Sequence, residues 1–424
     1  MTNDRKYLKL KGIAQPVAIS VDDRFIEALD FVFPKWPYKI SDTTETSPFL
    51  SISYDDERYQ LSSEHMDKPV FWNDPLNTIC EMVVEVAWAQ LRQDPSLLCL
   101  HGAAIEFAGR LVVFPATKRA GKSTLSVALA AAGHKIYTDD FLPVMLSEDQ
   151  ELLGISNGIS PRLRLPVPTT FGDRANSYIA NRSHIRNRQY QYVTPRDTEL
   201  AVNGQTAPLG ALVYLQREDL ADASIQPIQK AEALRDLIVQ NFSRAINAHG
   251  ILLLLDFAVT NLPIYRLKYH DVDQAIDILQ AKFSDWEAPT PRVSEAMSKD
   301  MFGVVLDQPD PAVAINVLDG QFKQKPDIFV VEADGKKFLT GRNGKSIHLL
   351  NDLAAAIWNL LAEPVSLDEA IEIVTAAFPD QTVEQVTKDV TQVFKSFAAC
   401  NILEIVHHTD IQTQHPAIEG ASAQ

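Results

Sequence analysis

Little in this chain can bind metal through sulfur or cross-link it. Its 424 residues include 3 cysteines, Cys80, Cys99 and Cys400, with no paired spacing. That excludes a disulfide framework or a cysteine zinc site and suits a reducing cytosol. Cys99 stands in the apolar run Leu97-Leu98-Cys99-Leu100, where a buried, inert thiol is expected. Long apolar runs are also missing. The densest, Ile251–Leu255, is ended by Asp256 and is far too short to span a bilayer. It reads as a buried strand. The N-terminus has no basic region followed by an apolar core, so no secretory signal is expected. Positive charge is scarce: 39 Lys and Arg face 55 Asp and Glu, for a formal net charge of −16. That balance speaks against a general nucleic-acid or membrane binder. What remains is ordinary globular composition, 46% hydrophobic and 22% charged, in a chain long enough for two or three domains.

The chain is organised around Ala116-Thr117-Lys118-Arg119-Ala120-Gly121-Lys122-Ser123-Thr124. The apolar run Arg110–Phe114 precedes it and the helical stretch Leu125–Ala132 follows. Strand, loop with Gly-Lys-Ser, helix is the layout of a phosphate-binding loop. Backbone N–H groups at the helix start point at phosphates, and the helix dipole favours negative charge there. Lys122 can reach the outer phosphates, and the Ser123 hydroxyl can ligate Mg²⁺. Two glycines of the usual pattern are absent. Ala116 stands at one position and Lys118-Arg119 at the middle, where glycine would let the loop turn and approach the phosphates. The alternative is a basic turn before a core helix. The flanking strand and helix favour the phosphate loop.

Gly133-His134 stops that helix, and Lys135–Thr138 reads as a strand ending in Asp139-Asp140. An acid at a strand end beside a phosphate loop positions Mg²⁺. Neighbouring side chains on a strand point opposite ways, so the two carboxylates cannot share one role. One metal-linked acid and one general base is the division that fits. Leu97–Leu100 and Leu111–Phe114 read as strands separated by His101-Gly102 and the turn at Gly109. In Ile159–Pro166 the alternating Arg162 and Arg164 project to one side. They either grip phosphate or lie solvated. Phe171–Asp197 reads as a long loop of the lid or acceptor-contact kind. Leu209–Leu215 is a buried strand, Ala231–Asn247 a helix, Leu262–Tyr269 a strand and Asp271–Lys282 a helix.

His101-Gly102, Ala120-Gly121-Lys122-Ser123-Thr124 and Asp139-Asp140-Phe141 together resemble the core of HPr kinase/phosphorylase and its bacterial kinase relatives. The order agrees, with His101 preceding Lys122 by 21 residues and Asp139 following it by 17. The resemblance covers about 90–285. It implies that Ala116–Thr124 cradles the nucleotide, with Lys122 and Ser123 on phosphates and Mg²⁺. Asp139 would assist the metal and Asp140 would take the proton of the acceptor hydroxyl. His101 would orient Asp140. The family's later acidic metal ligand has no counterpart, since no Glu occurs between Glu151 and Glu199. The family's phosphorylase activity is therefore not expected.

Before this region, residues 1–97 read as a small α+β lobe. Val17–Val21 and Phe49–Tyr54 are strands, and Asp74-Pro75 opens a helix running to about Gln93. Trp36, Trp72 and Trp88 are assigned to the core. After it, residues 286–300 are a proline-marked linker. Residues 301–408 suggest strands followed by three helices, a winged-helix-like unit. Asn351 caps the first helix, Ser366-Leu-Asp-Glu369 is a capping box, and Thr382–Ala399 is the third helix. From Asp300 to Val406 there are 8 Lys and Arg against 16 Asp and Glu, a net of −8, so DNA is a poor partner. Gly341–Ser346 repeats Gly-Lys-Ser but precedes a strand, so it reads as a turn. The tail, 409–424, reads as disordered.

Ser346–Asn351, Ala354–Trp358, Ser366–Ala370 and the spaced Asp389, Val390, Phe394 and Phe397 resemble PqqD, the recognition domain used with ribosomally made, modified peptides. The likeness covers about 312–406. It implies that a leader peptide adds along the exposed strand and against the third helix. The contacts would fall to Ile347, Leu349, Val390 and Phe394 or their neighbours, with plain core as the alternative for each.

The sequence thus predicts an α/β protein: an N-terminal α+β lobe, a central phosphate-loop domain and a C-terminal PqqD-like domain. The expected activity is ATP- and Mg²⁺-dependent phosphorylation of a hydroxyl, a Ser, on a ribosomal precursor peptide in the cytoplasm. Other peptide-modifying enzymes are further partners on this reading, and nucleic acid and membrane are not. One rival is a leader-binding adapter with a degenerate loop. Another is a kinase of a small metabolite or folded protein.

Overall fold

The structure is a computed structural model. It describes residues 5–115, 120–168, 171–243, 247–285, 316–341, 344 and 346–406. The chain divides into two compact units, one within 1–246 and 253–305, the other within 247–252 and 306–424. The expected linker and tail lie outside the described residues.

The first unit opens with β1 (Lys6–Leu10), β2 (Val17–Ser20), α1 (Asp23–Val32), β3 (Tyr38–Ser41), β4 (Leu50–Asp55), β5 (Arg58–Ser62), β6 (Val70–Trp72) and α2 (Pro75–Gln93). The strands form one sheet in the order β3-β1-β2-β4-β5-β6. The β2–β4 pair is parallel, with α1 in the connection between them. Asp22 and Asp74 cap the two helices through carboxylates that accept backbone N–H bonds, from Phe25 and from Leu76 and Asn77. Proline follows Asp74 at the first helical position, where no N–H is needed. Phe25, Leu29, Ile79 and Met82 share a core with Leu8, Ile52 and Leu61, and that core takes in Cys99, Phe141 and Tyr192 from farther along the chain.

The chain continues with β7 (Leu98–Phe107), β8 (Arg110–Pro115), α3 (Lys122–Ala131), β9 (Lys135–Thr138), β10 (Phe141–Leu146) and β11 (Leu152–Ile155). There follow β12 (Arg162–Arg164), α4 (Asp173–Ala180), β13 (His184–Arg186), β14 (Tyr190–Val193), β15 (Thr206–Arg217), β16 (Ser224–Pro227), α5 (Lys230–Gln240), α6 (Ala248–Asn261), β17 (Ile264–Tyr269) and α7 (Val272–Phe283). The main sheet runs β11-β10-β7-β8-β15-β17-β16, with β9 beside β7 and a further pairing of β11 with β15. β8, β15 and β17 are mutually parallel. Alternate residues of these strands, among them Val112, Phe114, Val213 and Leu267, share a core with Leu125 and Leu129 of α3 and Ile276 and Leu279 of α7.

Four expectations need correction. Ile251–Leu255 is helical, inside α6. A five-residue apolar run carries no period of its own, and here nearly every residue from Ile251 to Val259 is at least half-buried. The helix expected to reach Asn247 stops at Gln240, because the next residues pair with β7. The N–H of Phe242 donates to the Cys99 carbonyl and the N–H of Cys99 to Ser243 Oγ. Phe171–Asp197 is not a loop: it holds α4 and the strands β13 and β14, which pair with β12 in a short sheet. His101-Gly102 does not end a strand but lies inside β7.

The second unit contains β18 (Gln321–Gln324), β19 (Ile328–Ala333), β20 (Lys336–Gly341), β21 (His348–Leu349), α8 (Asp352–Leu360), β22 (Val365–Ser366), α9 (Leu367–Ala377), α10 (Val383–Ala399) and β23 (Leu403–Val406). Two small sheets result, β22-β18-β23 and β19-β20-β21. Asn351 caps α8, and Thr382 caps α10. Ser366 and Glu369 form a reciprocal capping box on α9. Phe322, Trp358, Phe394 and Phe397 meet edge to face in its core. Among the described residues, no helix is long and apolar enough to cross a membrane.

Candidate active site

The site is assembled along one edge of β7. That strand is long enough to pair with two successive strands, β10 over His101–Leu98 and β9 over Ala104–Glu106. Asp139-Asp140 joins β9 to β10 and so lies beside Gly102 and Ala103. The N–H of Gly102 donates to the Asp140 carbonyl at 2.9 Å. Glycine is needed at 102 for a steric reason. A Cβ there would stand 3.1 Å from the Phe114 carbonyl oxygen and 3.3 Å from Pro115 Cα. Gly102 therefore lets the end of β8, which leads into the Gly-Lys-Ser loop, lie close against β7.

The two carboxylates point to different surroundings. Asp139 is buried, with 6% exposure; its Oδ2 accepts the backbone N–H of Arg162 at 2.9 Å, and the Ser123 hydroxyl hydrogen-bonds to it. Burial, reinforced by the adjacent charge of Asp140, pushes its pKa up to about 6 against those bonds. Asp140 has a side chain 39% exposed, with Oδ1 at 3.4 Å from His101 Nε2. Its Oδ2 accepts from Arg162 Nη2 at 3.3 Å. Burial raises its pKa, but the His101 bond and the charges of Arg162 and Lys122 outweigh burial and hold it below the ordinary value. One arginine thus touches both acids, Asp139 with its backbone and Asp140 with its guanidinium.

Lys122 opens α3 and is buried. Burial lowers its pKa, while the charges of Asp140 and Asp139 oppose the shift. Gly121 is the N-cap residue of α3, at φ +96. A Cβ there would meet Tyr269 Oη at 2.7 Å, so conformation and space both require glycine. Ser123 and Thr124, in the first turn, are half-buried. Ala120 precedes the cap, and its carbonyl accepts from Tyr269 Oη at 3.5 Å. Ala116, Thr117, Lys118 and Arg119 lie outside the described residues.

Arg162 and Arg164 do project to one side. Both guanidinium groups lie over the Tyr190 ring, at 4.8 Å and 5.6 Å from its centroid. They differ in reach: Arg162 touches the acids, whereas Arg164 is exposed and adds a 3.5 Å contact with Tyr190 Oη. Sequence reasoning missed the groups that hold Arg162. Besides Tyr190 these are Cys80, which hydrogen-bonds to its guanidinium, and Tyr192, 3.1 Å from Cys80 Sγ. It also missed Asn157, whose Nδ2 donates to Thr138 Oγ1 at 2.9 Å and to the Phe141 carbonyl at 3.3 Å, tying together the ends flanking the acid pair. The alternation of Tyr190 and Tyr192 was the one available signal. Among the described residues, no three His, Cys, Asp or Glu side chains gather as a metal-binding group. A cavity of about 360 Å³ beside Lys11 and Trp36 shares no residue with this cluster.

In the second unit, the four residues expected to meet a peptide divide. Leu349 is 44% exposed and Ile347 half-buried. Val390 and Phe394 are fully buried. They sit on the inner face of α10 with Val386 and Phe397, so they pack the core and present nothing to a ligand. Contacts along α10 would fall to the outward neighbours. Gly341–Ser346 behaves as a turn where it is described, with the Gly344 N–H donating to the Gly341 carbonyl at 2.8 Å.

Comparison with known proteins bears on this second unit. Residues 338–403 match the family model described as coenzyme PQQ synthesis protein D (PqqD). This segment is similar to a PqqD domain. The match runs from within β20 through β21 and α10 to the first residue of β23. No curated protein matches the chain. Among solved structures, the HPr(Ser) kinase/phosphatase from Coxiella burnetii aligns with 12% identity, covering 42% of this chain and 90% of that one, with a TM-score of 0.21. At that score the likeness carries no weight, and the first unit is argued from its own geometry.

Proposed function

We propose that the chain is an ATP-dependent kinase that phosphorylates a hydroxyl, a serine side chain, on a ribosomally made precursor peptide whose leader binds the PqqD domain. The observation that carries this reading is the convergence on Arg162 of Asp139 and Asp140, with Ser123 of the α3 N-terminus bonded to Asp139 and His101 beside Asp140. A helix N-terminus with a buried lysine favours phosphate oxygens. Paired carboxylates with opposite pKa shifts favour two different tasks.

Asp140 is held ionised by His101, Arg162 and Lys122, so it can accept the proton of an acceptor hydroxyl as the oxygen attacks. The new bond joins that oxygen to the γ-phosphorus, the bond from the γ-phosphorus to the β–γ bridging oxygen breaks, and ADP leaves. Lys122 and Arg162 offset the charge on the moving phosphoryl group. The Ser123 hydroxyl and the Asp139 carboxylate are hard oxygen donors in mutual contact, a donor set that fits Mg²⁺. Bound Mg²⁺-ATP supplies the phosphoryl group and the metal charge that screens it. In the PqqD domain, β21 ends its sheet and carries the exposed Leu349. An extended leader can add there through main-chain bonds. The cytoplasm, where ATP and unmodified precursor meet, is the place for this reaction.

The test is mass spectrometry of a precursor peptide incubated with the protein and Mg²⁺-ATP. The peptide should gain roughly 80 Da per phosphate. Lys122→Ala and Asp140→Asn should each abolish the gain while leader binding persists. Near-native turnover by Asp140→Asn would remove Asp140 as the base. Leader binding without any mass gain by the native protein would favour an adapter, and equal turnover of leaderless acceptors a different substrate.

A further inference from the structure

The parallel strands β8, β15 and β17 end side by side. Val113 is in register with Leu212, and Tyr214 with Arg266. Near these ends, between the strands and α5, lies a cavity of about 310 Å³ lined in part by Pro115, Leu215, Gln216, Asp236, Gln240 and Arg266. Carboxyl ends of parallel strands are where α/β sheets hold ligands, and this volume suits a small molecule. Gln216 in the lining is followed by Arg217, whose Cδ would stand 3.4 Å from a Cβ on Gly121, so the cavity lies close to the start of α3.

We infer that this cavity is the nucleoside subsite of the triphosphate donor, an inference that rests on the kinase reading. The lining has the mixed chemistry a nucleoside needs. Asp236 presents a carboxylate able to accept from ribose hydroxyls. Gln216 and Gln240 present amides that match the donor and acceptor edge of a base. Leu215, Pro115 and the Val239 side chain offer apolar surface to the ring. The walls are fixed before a ligand arrives. Arg266 is paired with Glu232 at 2.7 Å, and Tyr214 Oη donates to the Ala233 carbonyl at 2.8 Å. A ligand with its phosphates on the α3 N-terminus and its nucleoside here would be held at both ends by one unit.

Calorimetry on the full chain with Mg²⁺, comparing ATP with inorganic tripolyphosphate, tests this. The native protein should bind both, ATP more tightly. Asp236→Asn should weaken ATP about tenfold, the equivalent of roughly 1.4 kcal/mol, and leave tripolyphosphate unchanged. Val239→Trp, at a residue 72% exposed on the cavity wall, should do the same by filling the space. Unchanged ATP affinity in both variants overturns the subsite and leaves the kinase reading standing. So does an equal loss for both ligands, or a rise in peptide KM with ATP binding intact, which would make the cavity an acceptor pocket. Native protein that binds neither triphosphate overturns the kinase reading and the subsite with it.

Discussion

At the scale of single residues, the acid pair is the informative feature. Two adjacent carboxylates share one arginine, yet burial of Asp139 and the His101 contact of Asp140 drive their proton affinities apart. Asp139 has an ordinary value of 3.8 and a folded value of about 6. The folded protein therefore binds that proton more tightly than the unfolded chain. The resulting stability is full below pH about 3.8 and is lost as pH rises through about 6. At neutral pH and without metal, Asp139 is a buried charge that destabilises the fold. Asp139→Asn keeps an oxygen for the Arg162 N–H and removes the charge. It should raise stability near neutral pH by on the order of 1–2 kcal/mol, with little gain near pH 4, and it should abolish phosphate transfer. Calorimetric melting at the two pH values checks this; an equal effect at both would show that the charge is not the cause.

At the scale of elements, the site depends on how closely β8 approaches β7. Gly102→Val would press against the Phe114 and Pro115 backbone, where no flexible side chain can yield. It should destabilise the protein by about 1–3 kcal/mol and weaken ATP binding more than leader binding. Chemical denaturation and titration measure the two effects separately. Much of this was legible in the sequence. Asp74, Asn351 and the Ser366–Glu369 box announced their helices because capping is local chemistry. The strand that ends at Pro115, the helix that begins at Lys122 and the acid pair at the end of β9 were legible for the same reason. What was not legible is tertiary. No local signal shows that His101-Gly102 continues a strand shared by β9 and β10. Nor does one show that Val390 and Phe394 face inward while Leu349 faces out. Phe171–Asp197 looked irregular because its helix and strands are short and polar and gain order from Arg162, Tyr190 and Tyr192 packing in one small sheet.

At the scale of the molecule, an acidic chain keeps a few buried or clamped cations where they matter. The formal net charge is −16, yet Lys122 and Arg162 stand beside two carboxylates in the first unit, in a setting suited to phosphate. The second unit carries a segment similar to PqqD whose described charge is acidic and whose β21 leaves Leu349 exposed. The proposed function divides the labour between a triphosphate site in the first unit and a peptide site in the second. The most direct measurement of that claim is a pair of calorimetric titrations on the full chain and on Lys122→Ala, one with Mg²⁺-ATP and one with leader peptide. The native chain should release heat with both ligands, and the variant should lose the first response and retain the second. A native chain that binds leader but shows no response to Mg²⁺-ATP would contradict the account.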